Sequence, residues 1–502
     1  MMNSLMKLPF LVILMGLSGI AMLLPMGHAF RIQDYETGRI FLQSAVLIVL
    51  LTTLIGVASV NYRPKSTAQS HLVALFGAFV ILPVFLAFPV SVLVPWISFS
   101  AHYFEMLSAL TTTGATVFDD PSRISEPIHL WRAFVGWLGG FLMLVSAIAI
   151  MAPLNLGGFE IYGSDNKPEQ VLGAARIRAA DVSERLVKFA RRIGPIYLGV
   201  TLLLALGLLV AGERSFVAIV RAMSTVSTSG IHSGDKLVTG FAGELLIFLF
   251  LFLAVSRLMF NFDGNLPSLK SIRDDHEFRL ALALVAVLPI LLFLRHWLGA
   301  FEVNDQENAP AAFQALWGAV FTTLSFLTTT GFESESWAAA QDWSGLPTSG
   351  IILLGLAVMG GGVATTAGGI KLLRVYALYK HGVREMQKLS FPSSIGGAGR
   401  SARFIRREGA YVAWMFFMLF AISTALTMLA LSMTGLNFET SLVFAVSALS
   451  TTGPLASAVL ENGTTYAQLD DWARGILGVA MVLGRLETLA IIALLNPDFW
   501  RR

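Results

Sequence analysis

Residues 325–331 read Ser325-Phe326-Leu327-Thr328-Thr329-Thr330-Gly331, and the stretch has three counterparts in the chain. They are Ser108-Ala109-Leu110-Thr111-Thr112-Thr113-Gly114, Ser224-Thr225-Val226-Ser227-Thr228-Ser229-Gly230 and Ser447-Ala448-Leu449-Ser450-Thr451-Thr452-Gly453. The shared pattern is Ser, any residue, an aliphatic, Ser or Thr, Thr, Ser or Thr, Gly. A single match to so short a pattern would carry little weight. Four matches, each between two long apolar runs, make an internal repeat that governs the reading of the whole chain. Small and hydroxyl residues also let helices pack closely. A packing motif, however, has no reason to end in glycine four times at the same point of a span–segment–span unit.

Working outward, the flanks are apolar enough to cross a bilayer. Candidate spans lie at 8–30, 40–60, 71–95, 128–153, 193–212, 238–260, 279–299, 345–379, 409–434 and 472–496. The 345–379 run is too long for one straight span and is broken by Gly360-Gly361-Gly362 and Gly368-Gly369. Over its 502 residues the chain is 55% hydrophobic and only 13% charged, against about a quarter charged in soluble domains. The formal net charge of +3 sits in alternate loops. Lys167, Arg176, Arg178, Arg185, Lys188, Arg191 and Arg192 fall in 154–192, and Lys380, Arg384, Lys388, Arg400, Arg403, Arg406 and Arg407 in 380–408. The opposite loops are acidic, with Asp119, Asp120 and Glu126, Glu302, Asp305 and Glu307, Glu333, Glu335 and Asp342, and Glu461, Asp470 and Asp471. The positive-inside rule then places both termini in the cytoplasm, so the basic balance points to membrane topology and not to nucleic acid. The first run follows Lys7 and ends near Gly27-His28-Ala29, which resembles a signal-peptidase site. Its length leads us to expect a retained first span. Without cysteine, disulfides, thiolate metal sites and Cys nucleophiles are excluded.

The four motifs lie in short apolar segments on the acidic side, near 99–117, 215–231, 311–332 and 437–453. A re-entrant segment fits that length, because irregular backbone at membrane depth survives only inside protein or along a watery cavity. Four extended backbones converging on an axis would present rings of carbonyl oxygens, the arrangement that replaces the hydration shell of a K⁺ ion. Glycine permits the angles that aim carbonyls inward. Ser and Thr hydroxyls can add oxygens or satisfy backbone groups behind. The C-terminal, partly negative end of each short helix would favour a cation. No motif carries the carboxylates that a divalent site would use.

At these residues the chain resembles the Trk/Ktr/HKT superfamily of potassium transporters, and within it the Trk-type membrane subunit. The resemblance implies an all-α integral membrane protein with two N-terminal spans and four span–pore-loop–span repeats around a pseudo-fourfold pore. The divisions it implies are 1–66 for the N-terminal helices, then repeats at 67–160, 161–270, 271–385 and 386–502. It further implies K⁺ uptake across the inner membrane, symport among the possible modes. The filters would be Thr111, Thr112, Thr113 and Gly114; Ser227, Thr228, Ser229 and Gly230; Thr328, Thr329, Thr330 and Gly331; and Ser450, Thr451, Thr452 and Gly453. K⁺ itself would sit at Thr112, Thr113, Thr228, Ser229, Thr329, Thr330, Thr451 and Thr452. A gate would be formed by Gly360, Gly361, Gly362, Thr365, Thr366, Gly368 and Gly369, and a barrier below the filter by Arg485. Implied partners are the lipid bilayer, a second copy in a homodimer, and a cytosolic ring of nucleotide-binding domains like TrkA, docking on the basic loops; no bound organic cofactor and no nucleic acid are expected. The alternative within the superfamily is a Na⁺-permeable or Na⁺/H⁺-coupled transporter.

The chain departs from its relatives at Ile231-His232 after the second motif, at Pro454 after the fourth, and in the Ser-Gly ending of the second. These bear on K⁺/Na⁺ preference. Arg485, as an intramembrane charge, is a functional candidate with Glu487 as a possible structural partner. Lys371 and Arg374 are expected as interfacial anchors, and His102, His129 and His232 as loop or interface residues without metal spacing. Asp119-Asp120 could concentrate cations. An intramembrane enzyme would need a nucleophile–base or paired-acid constellation within the spans, and none is present in the sequence.

Overall fold

The computed structural model of the chain describes residues 9–59, 67–151, 182–234, 237–256, 273–300, 309–344, 350–390, 407–460 and 463–486. Every regular element among them is helical. That is what hydrocarbon demands, since helices satisfy their own backbone groups where no water can.

The first apolar run forms α1 (Phe10–Ala21) and α2 (Leu23–Arg31), and α3 (Tyr35–Ser59) returns beside them. Four units of the same plan follow. The first has α4 (Thr67–Leu93), the short α5 (Phe99–Leu110) and α6 (Glu126–Ser146), which runs on as a π-turn at Ala147–Met151. The second has α7 (Val182–Val210), the short α8 (Ser215–Ser227) and α9 (Phe241–Leu251). The third has α10 (His276–Ala300), the short α11 (Ala309–Leu327), α12 (Trp337–Ser344), α13 (Gly350–Met359) and α14 (Leu372–Ser390). The fourth has α15 (Arg407–Ser432), the short α16 (Phe438–Leu449), α17 (Leu455–Val459) and α18 (Asp471–Leu486).

Seven described helices are long and apolar enough to cross a bilayer: 10–31, 35–59, 72–93, 126–151, 185–210, 276–294 and 409–432. The other expected spans are represented by the shorter α9, α13 and α18. The 345–379 run does break as its glycines suggest, with helix ending at Met359 and resuming at Leu372.

Packing closes the four units into a ring. Each short helix sits between the two long helices of its own unit and also touches the second long helix of the unit before it. Thus α8 meets α6, α11 meets α9, α16 meets α13, and α5 meets α18. Large apolar side chains face outward, as with Leu47, Leu50 and Leu54 on α3, Leu202, Leu203 and Leu206 on α7, and Leu426 and Leu429 on α15. The hydroxyl-rich motifs are at the centre, all of Ser108, Thr111, Thr113, Ser227, Ser229, Thr328, Thr330, Ser450 and Thr452 being fully buried. Lipid tails satisfy Leu as well as another Leu does, so packing and polar contacts, not hydrophobic exclusion, decide what goes inside.

Candidate functional site

The four motifs fold into the same turn. Counting the motif Ser as position one, the N–H at position six donates to the position-one carbonyl each time: Thr113 to Ser108 at 2.8 Å, Ser229 to Ser224 at 3.0 Å, Thr330 to Ser325 at 2.9 Å and Thr452 to Ser447 at 2.9 Å. The N–H at position five donates to the position-two carbonyl: Thr112 to Ala109, Thr228 to Thr225, Thr329 to Phe326 and Thr451 to Ala448, all between 2.9 and 3.2 Å. This pair of bonds is the Schellman closure of a helix C-terminus, normally completed by a left-handed glycine. Here the left-handed residue is threonine, with φ of 55° at Thr112, 53° at Thr228, 58° at Thr329 and 54° at Thr451. A β-branched residue in that region costs about 1–2 kcal/mol, and strain of this kind gathers at functional sites. The hydroxyls at positions four and six meet in every copy, at 2.8 Å (Thr111, Thr113), 3.0 Å (Ser227, Ser229), 3.1 Å (Thr328, Thr330) and 3.1 Å (Ser450, Thr452). Those hydroxyls therefore lock the turn together instead of facing an ion.

The turns close on one another in chain order. A Cβ on Gly114 would lie 1.9 Å from the Ser229 carbonyl oxygen, and one on Gly230 would lie 2.2 Å from that of Thr330. Gly331 abuts the Pro454 ring, and the Gly453 N–H donates to the Thr113 carbonyl at 2.6 Å. Gly114, Gly230 and Gly331 have φ of 75°, 66° and 78°; Gly453 is not left-handed, because Pro454 leads straight into α17. Pro454 also reaches across to Gly230.

Behind the turns stand groups that the motif does not contain. Glu105 on α5 accepts from the Val117 N–H at 2.8 Å and pairs with Arg132 on α6 at 2.6 Å, both side chains almost wholly buried. Arg132 also donates to Thr116 Oγ1. Glu244 on α9 accepts from Trp317 Nε1, Ser334 Oγ and the Glu335 N–H, bracing the segment after the third motif. In the fourth unit Ser447 Oγ lies 2.8 Å from the Thr452 carbonyl oxygen and Tyr466 Oη 3.0 Å from that of Gly453. Glu105 stands three residues before its motif, and Arg132, Glu244 and Tyr466 follow their motif glycines by 18, 14 and 13 residues; the one available signal was a carboxylate or arginine inside an apolar helix, which rarely occurs without a partner.

The interrupted helix of the third unit rises to the inner face of these turns. The Ile370, Lys371 and Leu372 N–H groups return to the carbonyls of Val358, Met359 and Gly361, each at 3.0 Å, closing 360–371 into a loop. Gly360 and Gly369, both at positive φ, cross so closely that a Cβ on Gly369 would sit 2.6 Å from the Gly360 Cα. The Gly368 N–H donates to Thr329 Oγ1 at 2.7 Å, and Thr366 Oγ1 donates to the Val226 carbonyl at 3.2 Å. Gly368 also lies against Ser450 and Thr451, so the loop touches the second, third and fourth motifs. Its outer edge is held by Glu277, which accepts from the Val363 N–H at 2.8 Å. Arg485 on α18 is buried and donates from Nη1 to the Thr366 carbonyl at 2.7 Å. Its Nε and Nη2 have no hydrogen-bond partner among the described residues; Glu487 lies outside them.

Lys371 and Arg374 are not interfacial anchors. Lys371 is buried and donates to the Ala367 carbonyl, while Arg374 donates to that of Ile370 and stacks 3.6 Å from the centre of the Phe416 ring. The turn back at 370–372 draws both inward. His102 and His129 are likewise buried, each bonded to a backbone carbonyl at 2.9 Å (Val94 and Pro121). At the outer mouth His232 and Glu333 are exposed, two residues beyond their motif glycines. Asp120 accepts from the Ser122 hydroxyl and N–H, which hold its carboxyl below the usual range.

A ring of helical units around four like turns defines a multi-pass membrane protein of repeated span–short helix–span units. The family model of the TrkH cation transport proteins matches residues 272–500. The Trk system potassium uptake protein TrkH of Halomonas elongata is 30% identical over 476 residues, covering 91% of this chain and 92% of that protein. TrkH of Vibrio parahaemolyticus serotype O3:K6 is 30% identical over 420 residues, covering 81% of each. The crystal structure of the potassium transporter TrkH from Vibrio parahaemolyticus superposes with a TM-score of 0.79 at 25% identity, over 99% of this chain and 100% of that one. The chain belongs to the TrkH family of cation transport proteins.

Proposed function

We propose that this chain carries K⁺ into the cell through a pore at the centre of its ring of four units. The observation that carries the reading is the fourfold recurrence of one strained turn, closed head to tail at the middle of the fold. Four such backbones supply neutral oxygens in rings, which hold a monovalent ion weakly enough to release it. K⁺ is the cargo, stripped of water by the backbone at Thr112 and Thr113, Thr228 and Ser229, Thr329 and Thr330, and Thr451 and Thr452, with Gly114, Gly230, Gly331 and Gly453 closing the filter. The loop 360–369 is the gate, since its contacts with Thr329, Val226 and Thr451 block the inner end of the filter. Arg485 sets a cationic barrier there and, through Thr366, ties the gate to α18.

The relatives' names, as potassium uptake proteins, support K⁺ as the cargo. The family assignment supports a chain in the inner membrane with cytoplasmic termini, a homodimer, and a TrkA-like cytosolic nucleotide-binding ring. The basic loops 154–192 and 380–408 would dock that ring; 152–181 and 391–406 lie outside the described residues.

The test is ⁸⁶Rb⁺ uptake by bacteria lacking their own K⁺ uptake and expressing this chain, with K⁺, Na⁺ and Li⁺ as competitors. Saturable uptake blocked by K⁺ and not by Na⁺, and lost in Gly114→Ser, is the expected result. Equal block by Na⁺ would make the chain a sodium-permeable transporter, and no uptake above the empty strain would refute the reading.

A further inference from the structure

The fourth turn breaks the symmetry of the other three in one respect. Between units one and two, two and three, and four and one, the position-six carbonyl of one turn faces the motif glycine of its neighbour. Ser229 O faces Gly114, Thr330 O faces Gly230, and Thr113 O accepts from the Gly453 N–H. Only the step from unit three to unit four differs: Gly331 meets the Pro454 ring, and the Thr452 carbonyl is turned back to Ser447 Oγ at 2.8 Å. The matching hydroxyls of Ser108 and Ser325 have no hydrogen-bond partner among the described residues, and that of Ser224 meets Ser229 Oγ at 3.2 Å.

Beside Ser447 stands Tyr466. Its hydroxyl lies 2.6 Å from Ser447 Oγ and 3.0 Å from the Gly453 carbonyl. The ring is buried between α5 and α16, with centroids 5.8 Å from Phe104 and 4.8 Å from Phe444. Each hydroxyl has one proton to donate. The short Ser447–Tyr466 contact takes one of the two, so one proton remains for the two filter carbonyls. With Tyr466 donating to Ser447, the Ser447 proton goes to Thr452 O; reversed, the Tyr466 proton goes to Gly453 O. The closer approach of Ser447 to Thr452 O, 2.8 Å against 3.0 Å for Tyr466 to Gly453 O, favours the first arrangement, and no other motif serine among the described residues engages its position-six carbonyl.

We propose that Ser447, packed against Tyr466, is a positioning residue for ion selectivity, because it engages the Thr452 carbonyl from behind and so weakens the fourth unit's place in the position-six oxygen ring. This rests on the filter reading of the four turns. An ion at that level keeps more of its water than a complete ring of four would require, so K⁺ and Na⁺ are separated less sharply there. Pro454 occupies the place against Gly331 that the Thr452 carbonyl would otherwise take.

The test is the ratio of Na⁺ to K⁺ concentrations that half-block ⁸⁶Rb⁺ uptake in the K⁺-uptake-deficient cells, normalised to membrane-inserted protein. Ser447→Ala frees the Thr452 carbonyl and raises the ratio at least threefold. Ser447→Cys, which fills the site with a much weaker donor, shifts it the same way and serves if the alanine variant inserts poorly. Tyr466→Phe leaves the Ser447–Thr452 bond in place and shifts the ratio less. Ser325→Ala, at the matching place in unit three, also gives a smaller shift than Ser447→Ala. An unchanged or lowered ratio in both Ser447 variants, or a shift equalled by Ser325→Ala, would overturn the proposal. Absence of K⁺-blocked uptake in the wild-type chain would remove the filter reading itself, and this inference with it.

Discussion

Alanine at the motif glycines should give unequal results, although the four motifs look alike in sequence. At Gly114 an added Cβ would lie 1.9 Å from the Ser229 carbonyl oxygen, so that oxygen must retreat by roughly 1.5 Å to reach ordinary contact. The displaced atom is one of those proposed to face the ion, and its neighbours are backbone, with no flexible side chain to absorb the shift. At Gly331 the nearest atoms are those of the Pro454 ring at 3.0–3.2 Å, which need give only by tenths of an ångström. The left-handed angles are nearly the same, 75° and 78°, so the conformational cost of about 1–2 kcal/mol is common to both. Gly114→Ala should therefore lower the maximal ⁸⁶Rb⁺ uptake rate at least tenfold, a change of about 1.4 kcal/mol in barrier. Gly331→Ala should stay within threefold of wild type. Uptake would be measured over a K⁺ series in the deficient strain, with inserted protein quantified by immunoblot. Equal loss in the two variants at equal protein levels would refute the reasoning from local space, and wild-type uptake in Gly114→Ala would refute the role of the Ser229 carbonyl.

Arg485→Ala should raise unidirectional flux about tenfold or more, since at an effective dielectric near 20 a unit charge acts on an ion with about 1.4–3 kcal/mol over separations of ~6–12 Å; an unchanged flux would remove the barrier role. Glu105→Gln unpairs the buried Arg132 at its 2.6 Å contact, and breaking one side of such a pair costs about 3–5 kcal/mol. The detergent-solubilised variant should melt at a clearly lower temperature, and an equal melting point would contradict the bracing role. Glu333 reaches solvent, but the protein walls of the outer mouth partly desolvate its carboxyl and raise it above the ordinary carboxylate range. Its charge is present above that raised pKa and is lost as pH falls through it. Uptake at limiting K⁺ should decline on external acidification in that range, and Glu333→Gln should flatten the profile; parallel profiles for the two proteins would exclude Glu333 as the titrating group.

Much of this architecture was legible in the sequence because a bilayer imposes linear rules. Span length follows from hydrocarbon thickness, and the repeat from four copies of one motif. The break at 360–371 could be read from its glycines, since helix cannot readily continue through such a run. Three features could not be read. The left-handed residue of every turn is Thr112, Thr228, Thr329 or Thr451, whereas propensity alone pointed to glycine; two backbone bonds and the paired hydroxyls hold each threonine there. The braces Glu105–Arg132 and Glu244, and the inward turn of Lys371 and Arg374, join residues brought together only when the helices pack. The fourth motif matches the others letter for letter in type, yet its Thr452 carbonyl meets Ser447 Oγ, with Tyr466 from beyond the motif packed against that serine. Sequence determined which segments cross the membrane and which converge, because those depend on hydropathy and local spacing. Tertiary structure alone decided where each carbonyl points, because that depends on which donor, from anywhere in the chain, lies within hydrogen-bonding reach.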